Sequence, residues 1–467
     1  VVKIVDRGTT KPYIHFLSNA SIDVTGSMHL VRFKKYVILL DCGLIQQGDI
    51  ATAYRLNQAQ LKKIKPRDID YIILSHQHID HSGLIPALFA KGCQAHVYVP
   101  QGSVPFLRLL WQDSLKIMQA DCLKLQKKHG IKAAPFYTEE DVERAVWRCI
   151  DIPSNTPYNI TNDIKFTYYP AGHILYAQQI LLELKEGSVI KRVAFTGDIG
   201  GTTLRPYVEP RQTLPFCNVL IGENTYNQPG RINNVRDREQ DETKIATIIN
   251  NSHRILFPCF SLGRTQELLT VLYDMWQHQD LPLNIPIYLD SPLAIKFCDL
   301  WPDFPKWQTI MNWSNLHFVK DYQDSIELQM SNERCVVIAA SGFLQGGRIV
   351  SHLKTALLDE HNHICFIGFS GENNLASQIK SGQKDVVIDG VAVANRANIT
   401  DLRSFSSHAS REELMDYYSE CRFDKLCLVH GQFSTKVDFA QELQDRLHNE
   451  ANSAKVVCIN QDQRIFI

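Results

Sequence analysis

His76-Gln77-His78-Ile79-Asp80-His81 decides the reading of this chain. It places three imidazoles and a carboxylate within six residues, directly after the apolar run Tyr71-Ile72-Ile73-Leu74. That run reads as a buried strand. The ligand-type side chains then fall on the loop that leaves it, with Ser82-Gly83 ending the loop and a short helix starting near Leu84. Nitrogen and oxygen donors at this density suit a borderline cation such as zinc. The spacing lets His76 and His78 point one way and Asp80 and His81 the other, so one loop can serve two metal ions. A solvated polar loop has no need of such a cluster.

Around this stretch the first part of the chain is strand-rich, with short alternating or apolar runs at 15–17, 28–33, 36–40 and 96–99. Val104, Leu107, Trp111, Leu115, Met118, Cys122 and Leu125 recur at intervals of three and four, which predicts a core-facing helix stopped by Gly130. Thr138-Glu139-Glu140-Asp141 predicts a capping box at the start of a second helix. Strands resume at 166–169, 179–184 and 192–196. After about Pro229 short apolar strands at 255–260, 287–290, 336–340 and 364–369 alternate with helical segments, which predicts a second, mostly parallel α/β sheet. From about Leu402 short strands return, at 426–429, 456–459 and 464–467.

Four more sites carry ligand-type residues. His173 follows the strand at 166–169, Asp198 the strand at 192–195, and His430 the strand at 426–429, while His408 lies in a Ser-rich loop. Three of the four thus stand just past a strand's C-terminal end, where such scaffolds gather functional loops.

Composition sets the bounds. A chain of 467 residues is too long for one core, so two domains are expected. At 44% hydrophobic and 21% charged it is an ordinary globular sequence, and a net charge of −1 excludes a broadly basic coat for nucleic acid while allowing a local basic groove. No apolar run approaches the roughly 18 residues of a membrane helix, and residues 1–6 do not read as a signal peptide. The 12 cysteines are scattered with no Cys-x-x-Cys pair, which predicts free thiols and a cytosolic protein, with no membrane partner.

With these residues in view the chain resembles the metallo-β-lactamase superfamily, and within it the β-CASP nucleases. The marks run over essentially the whole length, from the Val24-Thr25-Gly26-Ser27 loop and Asp41-Cys42-Gly43 through the His76–His81 motif, Ala171-Gly172-His173 and Thr196-Gly197-Asp198. Glu223-Asn224-Thr225-Tyr226, Phe260-Ser261-Leu262-Gly263-Arg264, Asp290-Ser291-Pro292, Ser341-Gly342-Phe343-Leu344-Gln345-Gly346-Gly347-Arg348, Ser404-Phe405-Ser406-Ser407-His408 and Val429-His430-Gly431 complete the ordered series.

The resemblance implies an αββα metallo-β-lactamase sandwich built from residues 1–226 and 401–467. A β-CASP α/β domain with a mostly parallel sheet would be inserted at 227–400, leaving a cleft for a single strand. It implies two Zn2+ per chain, one held by His76, His78 and His173, the other by Asp80, His81 and His430, with Asp198 and a hydroxide bridging them. Asp80, His408 and Glu223 would be catalytic, His408 as general acid and Glu223 orienting it. Family members that act on RNA tend to carry His at the position of His430, where the DNA-repair branch tends to carry Val. The implied activity is therefore hydrolysis of single-stranded RNA, endonucleolytic, with 5′-exonucleolytic action as a second mode; a DNA nuclease and a non-catalytic RNA-binding scaffold are the alternatives, and a homodimer is left open. Arg264, Ser341, Gly346, Gly347 and Arg348, at turns that open helices, are expected to contact phosphate. Three positions depart from the family pattern: Tyr176 replaces a usual Gly, and is expected to contact a nucleotide or simply to pack; Ser410 replaces a common Asp; Gln432 replaces a frequent Glu.

Overall fold

Strict alternation along the strands builds two cores at once. In the strand Tyr36–Leu40, Ile38 and Leu40 enter one apolar cluster while Val37 and Leu39 enter another. The strand Gln178–Glu186 does the same, with Ile180, Leu182 and Leu184 on one side and Leu181 on the other. A side-chain period of two turns such a strand into a wall between two layers. The computed structural model describes residues 11–202, 205, 207–228, 235–302, 304–342, 344, 346–368, 374–449 and 453–467. Residues 1–6, Pro229, Phe343, Gln345 and position 369, all read above, lie outside them.

Two seven-stranded sheets result. One runs, edge to edge, Gln463–Phe466, Tyr13–Phe16, His29–Phe33, Tyr36–Leu40, Tyr71–Ile73, His96–Pro100 and Cys149–Ile152; the other Lys455–Cys458, Phe423–Val429, Cys217–Glu223, Val189–Phe195, Gln178–Glu186, Ile164–Pro170 and Tyr158–Asn159. Phe16, Phe33, Phe166 and Phe195 fill the space between them. The outer face of the first sheet is covered by the helix Val104–His129, through Leu107, Trp111 and Leu115, and by Glu139–Trp147, through Val142. The outer face of the second is covered by Arg411–Glu420 and Phe433–Asn449, through Leu414, Tyr418, Phe439 and Leu443. The layers are helix, sheet, sheet, helix.

Local signals behave as their chemistry dictates. Gly130 ends the long helix at φ +64°, and the Asp141 amide donates to Thr138 Oγ1 at 3.3 Å while the Thr138 amide donates to Asp141 Oδ2 at 2.8 Å. The helix Ile50–Lys62, like Arg411–Glu420 and Phe433–Asn449, has no counterpart in the sequence reading. Its buried positions are Ala51, Asn57, Gln60 and Leu61, two of them polar, so it shows no apolar stripe, and its start is fixed by Asp49 accepting from the Thr52 amide at 2.7 Å.

The second unit is a six-stranded sheet in the order Leu316–Phe318, Ile287–Leu289, Cys335–Ala339, Arg254–Pro258, His363–Phe366 and Asn398–Asp401. Every pairing in it is parallel. Its two central strands are buried at every position and, apart from Arg254, apolar, as a parallel sheet covered on both faces requires. By contact the chain divides into Val1–Thr202, Val208–Arg231 and His408–Ile467 on one hand, and Thr203–Tyr207 and Ile232–Ser407 on the other. The last sheet strand, Asn398–Asp401, pairs with His363–Phe366, and that unit continues through Ser407. Among the described residues no helix is long and apolar enough to cross a membrane.

Candidate active site

Strand direction gathers the site. Ile164–Pro170 and Val189–Phe195 are both antiparallel to Gln178–Glu186, so they point the same way. Cys217–Glu223 is parallel to Val189–Phe195, and Phe423–Val429 is parallel to Cys217–Glu223. Four C-terminal ends therefore open on one edge and deliver His173, Asp198, Glu223 and His430. The facing sheet contributes Asp41 after Tyr36–Leu40 and His76 after Tyr71–Ile73, two strands that are themselves parallel.

Asp80 and His81 stand on a single helical turn, Ile79–Ser82, where the sequence predicts loop. The Ser82 amide donates to His78 O at 2.9 Å and the Gly83 amide to Ile79 O at 2.8 Å. The turn is laced to residues 42–44: the Cys42 amide donates to His81 O and the Leu44 amide to Ile79 O, each at 2.8 Å. Gly43 has no alternative here, because a Cβ would lie 1.6 Å from Asp80 O.

Among the described residues three groups share Asp198: two take up the expected ligands, and the third is Asp198 with Glu223 and His408. In the first, His78 Nδ1 lies 3.2 Å from His76 Nε2 and 3.3 Å from His173 Nε2, and both Nε2 atoms are 3.6 Å from Asp198 Oδ2. In the second, His81 Nε2 is 3.2 Å from Asp198 Oδ1 and 3.3 Å from His430 Nε2, while Asp80 Oδ2 is 3.4 Å from His430 Nε2 and 3.8 Å from His81 Nε2. One carboxylate thus turns a different oxygen to each of these two groups.

Hydrogen bonds behind the rings fix which nitrogen faces inward. Asp41 Oδ2 accepts from Ser75 Oγ at 2.9 Å and from His81 Nδ1 at 2.6 Å. With its proton given to Asp41, Ser75 Oγ accepts from His76 Nδ1 at 3.1 Å. Both Nε2 atoms are left bare, as a metal ligand requires. Electrostatics agree for His76 and His78 and oppose a bare nitrogen on His81. Burial, and then His81, hold His76 well below the usual imidazole range, and burial lowers His78 to about 4. Burial also opposes charge on His81, but Asp198 and Asp80 outweigh it and raise that ring well above the range. Asp198 is held far below the carboxylate range, burial being overcome by His430, His81 and His408.

The donor sets fit divalent cations. Nitrogens sharing one tetrahedral zinc at about 2.0–2.1 Å stand about 3.3 Å apart. The ring–ring distances in the two groups are 3.2, 3.3 and 3.3 Å. Asp198 Oδ1 is buried without a hydrogen-bond donor, a costly state for a carboxylate unless a cation meets it.

His408 completes the edge. Its Nε2 is 4.0 Å from Asp198 Oδ2 and its Nδ1 is 3.3 Å from Glu223 Oε2; Tyr226 packs edge-on against the ring at 5.6 Å. Glu223 is itself held by the Ile199 amide, and the Ala409 amide donates to Ile199 O at 2.7 Å. Ser410 caps the helix Arg411–Glu420, the Glu413 amide donating to Ser410 Oγ at 3.3 Å, so Ser serves here in a role that Asp also fills. Tyr176 has φ +64°, a conformation that favours Gly, and its ring lies over Gly102, where a Cβ would approach it to 2.7 Å, and edge-on to Phe106.

The remaining sequence-predicted residues belong to the second unit. Arg264 is buried and donates to Ser407 Oγ at 3.1 Å, and with Phe260, Gly342 and Phe366 it lines a small cleft at the C-terminal strand ends. Ser341 donates through its amide to Gly346 O at 3.3 Å, and Gly347 has φ +82°, where a Cβ would lie 2.2 Å from Ala340 O. Arg348 pairs with Asp290 at 2.6 Å and donates to Val319 O and Lys320 O, so the expected phosphate contact meets a guanidinium already engaged inside the unit. Two residues that the sequence reading quoted without a role, Asp41 and Thr225, hold the rings of His81 and His430. Asp41 offered a signal, a carboxylate at the end of an apolar strand; Thr225 offered none.

Family models agree with this architecture: the metallo-β-lactamase superfamily over residues 22–177, the Beta-Casp domain over 265–379, and a Zn-dependent metallo-hydrolase RNA specificity domain over 393–454. The chain belongs to the metallo-β-lactamase superfamily and carries its β-CASP domain, a class of metal-dependent hydrolases. It is similar to Ribonuclease TTHA0252 of Thermus thermophilus, 30% identical over 426 residues that cover 88% of this chain and 92% of the relative. It also resembles transcription termination factor FttA of Methanocaldococcus jannaschii, 29% identical over 94% of this chain and 69% of the relative, and an RNase J-like protein of the same organism, 26% identical over 88% and 91%. A solved protein of unknown function from Enterococcus faecalis V583 shares the fold, with a TM-score of 0.53 at 13% identity over 98% of this chain and 100% of its own.

Proposed function

We propose that this protein is a two-zinc ribonuclease that hydrolyses phosphodiester bonds within single-stranded RNA, with 5′-exonucleolytic trimming as a secondary mode. The observation that carries the reading is the division of Asp198, Oδ2 toward His76 and His173 and Oδ1 toward His81, with His408 Nε2 4.0 Å from the same carboxylate. The match to an RNA specificity domain and the likeness to a named ribonuclease support RNA as substrate.

Two cations held there would polarise a water for attack and neutralise charge gathering on the phosphate oxygens. The chain's own residues do the rest. Asp41, directly and through Ser75, keeps His81 and His76 in the ligand tautomer. Asp80, partly exposed, completes the second group. His408 holds a proton at Nε2 on the open side of Asp198 and gives it to the departing ribose oxygen; Glu223, at Nδ1, keeps the ring in that orientation. Arg264, Ser341, Gly346 and Gly347 belong to the same reading as phosphate contacts.

The test is digestion of end-labelled RNA bearing 5′-monophosphate, 5′-triphosphate or 5′-hydroxyl ends, beside matched DNA, by chelated and zinc-reloaded protein. Internal cuts in RNA, independent of the 5′ end and restored by zinc, are expected, with loss in Asp80→Ala. Mononucleotide release from monophosphate ends alone would overturn the endonuclease assignment, and equal rates on DNA would overturn the RNA assignment.

A further inference from the structure

In the second group the Nδ1 of His81 meets a carboxylate at 2.6 Å, whereas the group nearest the Nδ1 of His430 is a hydroxyl, that of Thr225. His430 leaves its strand at φ +52°, its amide donating to Ala20 O at 2.5 Å. The loop after Cys217–Glu223 is pressed against it: the Asn224 amide donates to His430 O at 3.2 Å, and a Cβ on Gly431 would come within 2.2 Å of Asn224 O. This fixes the backbone around Thr225. Thr225 Oγ1 then stands 2.9 Å from His430 Nδ1 and 3.2 Å from His430 O, while the Thr225 amide donates to Glu223 Oε2 at 3.3 Å.

A hydroxyl has one proton, and it has two places to go. The carbonyl oxygen of His430 can only accept. If Thr225 donates to that carbonyl, its oxygen accepts from Nδ1–H, and Nε2 presents a lone pair to Asp80 and His81. If it donates to Nδ1 instead, the ring proton sits on Nε2, and that nitrogen cannot be a ligand. Asp198 Oδ1, also near Nδ1 at 3.4 Å, is a more distant acceptor than Thr225.

Resting on the two-ion reading above, we propose that Thr225 is a positioning residue that sets the tautomer of His430 and, through it, the affinity of the Asp80–His81–His430 group for its divalent cation. Its role parallels that of Asp41 for His81, with a neutral hydroxyl in place of a carboxylate. The amide of the same residue holds Glu223, so one residue ties the second ligand group to the partner of His408.

The probe is Zn2+ alone, titrated into metal-free protein against a competing chelator, repeated with Co2+ and read by its visible absorption. Wild type is expected to take two ions. Thr225→Val, similar in shape but without the hydroxyl, is expected to take one ion normally and the other about 10–100-fold more weakly, the usual cost of losing a partner behind a ligand. Thr225→Ser is expected to restore the second ion, and all three metal-free proteins to melt together. Thr225→Val binding both ions at wild-type affinity, or Thr225→Ser failing to restore the second, overturns the proposal; if the valine variant does not fold, Thr225→Ala is read in its place. A wild-type chain that takes a single ion overturns the two-ion reading and this inference with it, a result visible in the wild-type trace alone.

Discussion

Asp41 Oδ2 lies 2.6 Å from His81 Nδ1, and neither side chain reaches solvent. The same oxygen accepts from Ser75 Oγ, so one carboxylate behind the site governs a ring in each ligand group. Asp41→Asn keeps the shape and removes the charge. It is expected to weaken divalent-cation binding about 10–100-fold, measured by chelator competition, with both groups affected because both rings depend on Asp41. Unchanged affinities would remove Asp41 from the site.

His408 and Glu223 are expected to be separable from metal binding. His408→Ala is expected to lower RNA cleavage by about 10²–10⁴-fold while the metal content stays at the wild-type value. Glu223→Gln, which keeps one oxygen for the Ile199 amide, is expected to lose less. Full cleavage by His408→Ala would sink the proton-donor role, and loss of metal in that variant would reassign the residue to a ligand.

His29 gives a pH signature unconnected with turnover. Its ring is packed edge-on between Phe16 and Phe195, neither nitrogen has a hydrogen-bond partner, and burial, followed by His81 and His430, lowers its pKa from 6.5 to about 3. The folded state keeps the ring neutral where the unfolded chain binds a proton, so stability is present above the unfolded value and is lost as pH falls from 6.5 toward about 3. His29→Leu removes that part of the loss. Relative to its own value at neutral pH, the variant should hold about 2 kcal/mol more than wild type near pH 5, by denaturant unfolding at the two pH values. Parallel acid profiles would show that the ring finds a partner in solution.

Gly43→Ala tests the lacing of the helical turn. With a Cβ 1.6 Å from Asp80 O, either the strand end or the turn must move. We expect a loss of about 3 kcal/mol or more and impaired metal uptake at the second group, since Asp80 and His81 ride on the displaced turn. A wild-type denaturation midpoint with full metal content would contradict this.

Much of the molecule is legible in the chain because its signals are local. The strand before His76 is apolar, the helix Val104–His129 has a stripe of regular spacing, and Thr138 with Asp141 caps its helix within four residues. The helix Ile50–Lys62 is not legible, since it turns Asn57 and Gln60 inward to hydrogen-bond the loop at Ile45 and Gly43. Nor is the state of Arg348, whose charge is met by Asp290, a residue 58 positions away.

The sequence by itself determined which chemistry is available: seven ligand-type side chains at the ends of strands, an imidazole and a carboxylate beside them, and a second α/β unit. Donor type and the alternation of apolar residues are properties of the chain, readable in order. Only the tertiary structure decided that Asp198 turns one oxygen to each group, that Asp41 sits behind both, and that Thr225 sits behind His430. These are relations between strand ends far apart in the chain, set by which strands are neighbours and by the common direction in which Ile164–Pro170, Val189–Phe195, Cys217–Glu223 and Phe423–Val429 run. A proton's position on an imidazole depends on what stands behind the ring, and that is fixed by packing.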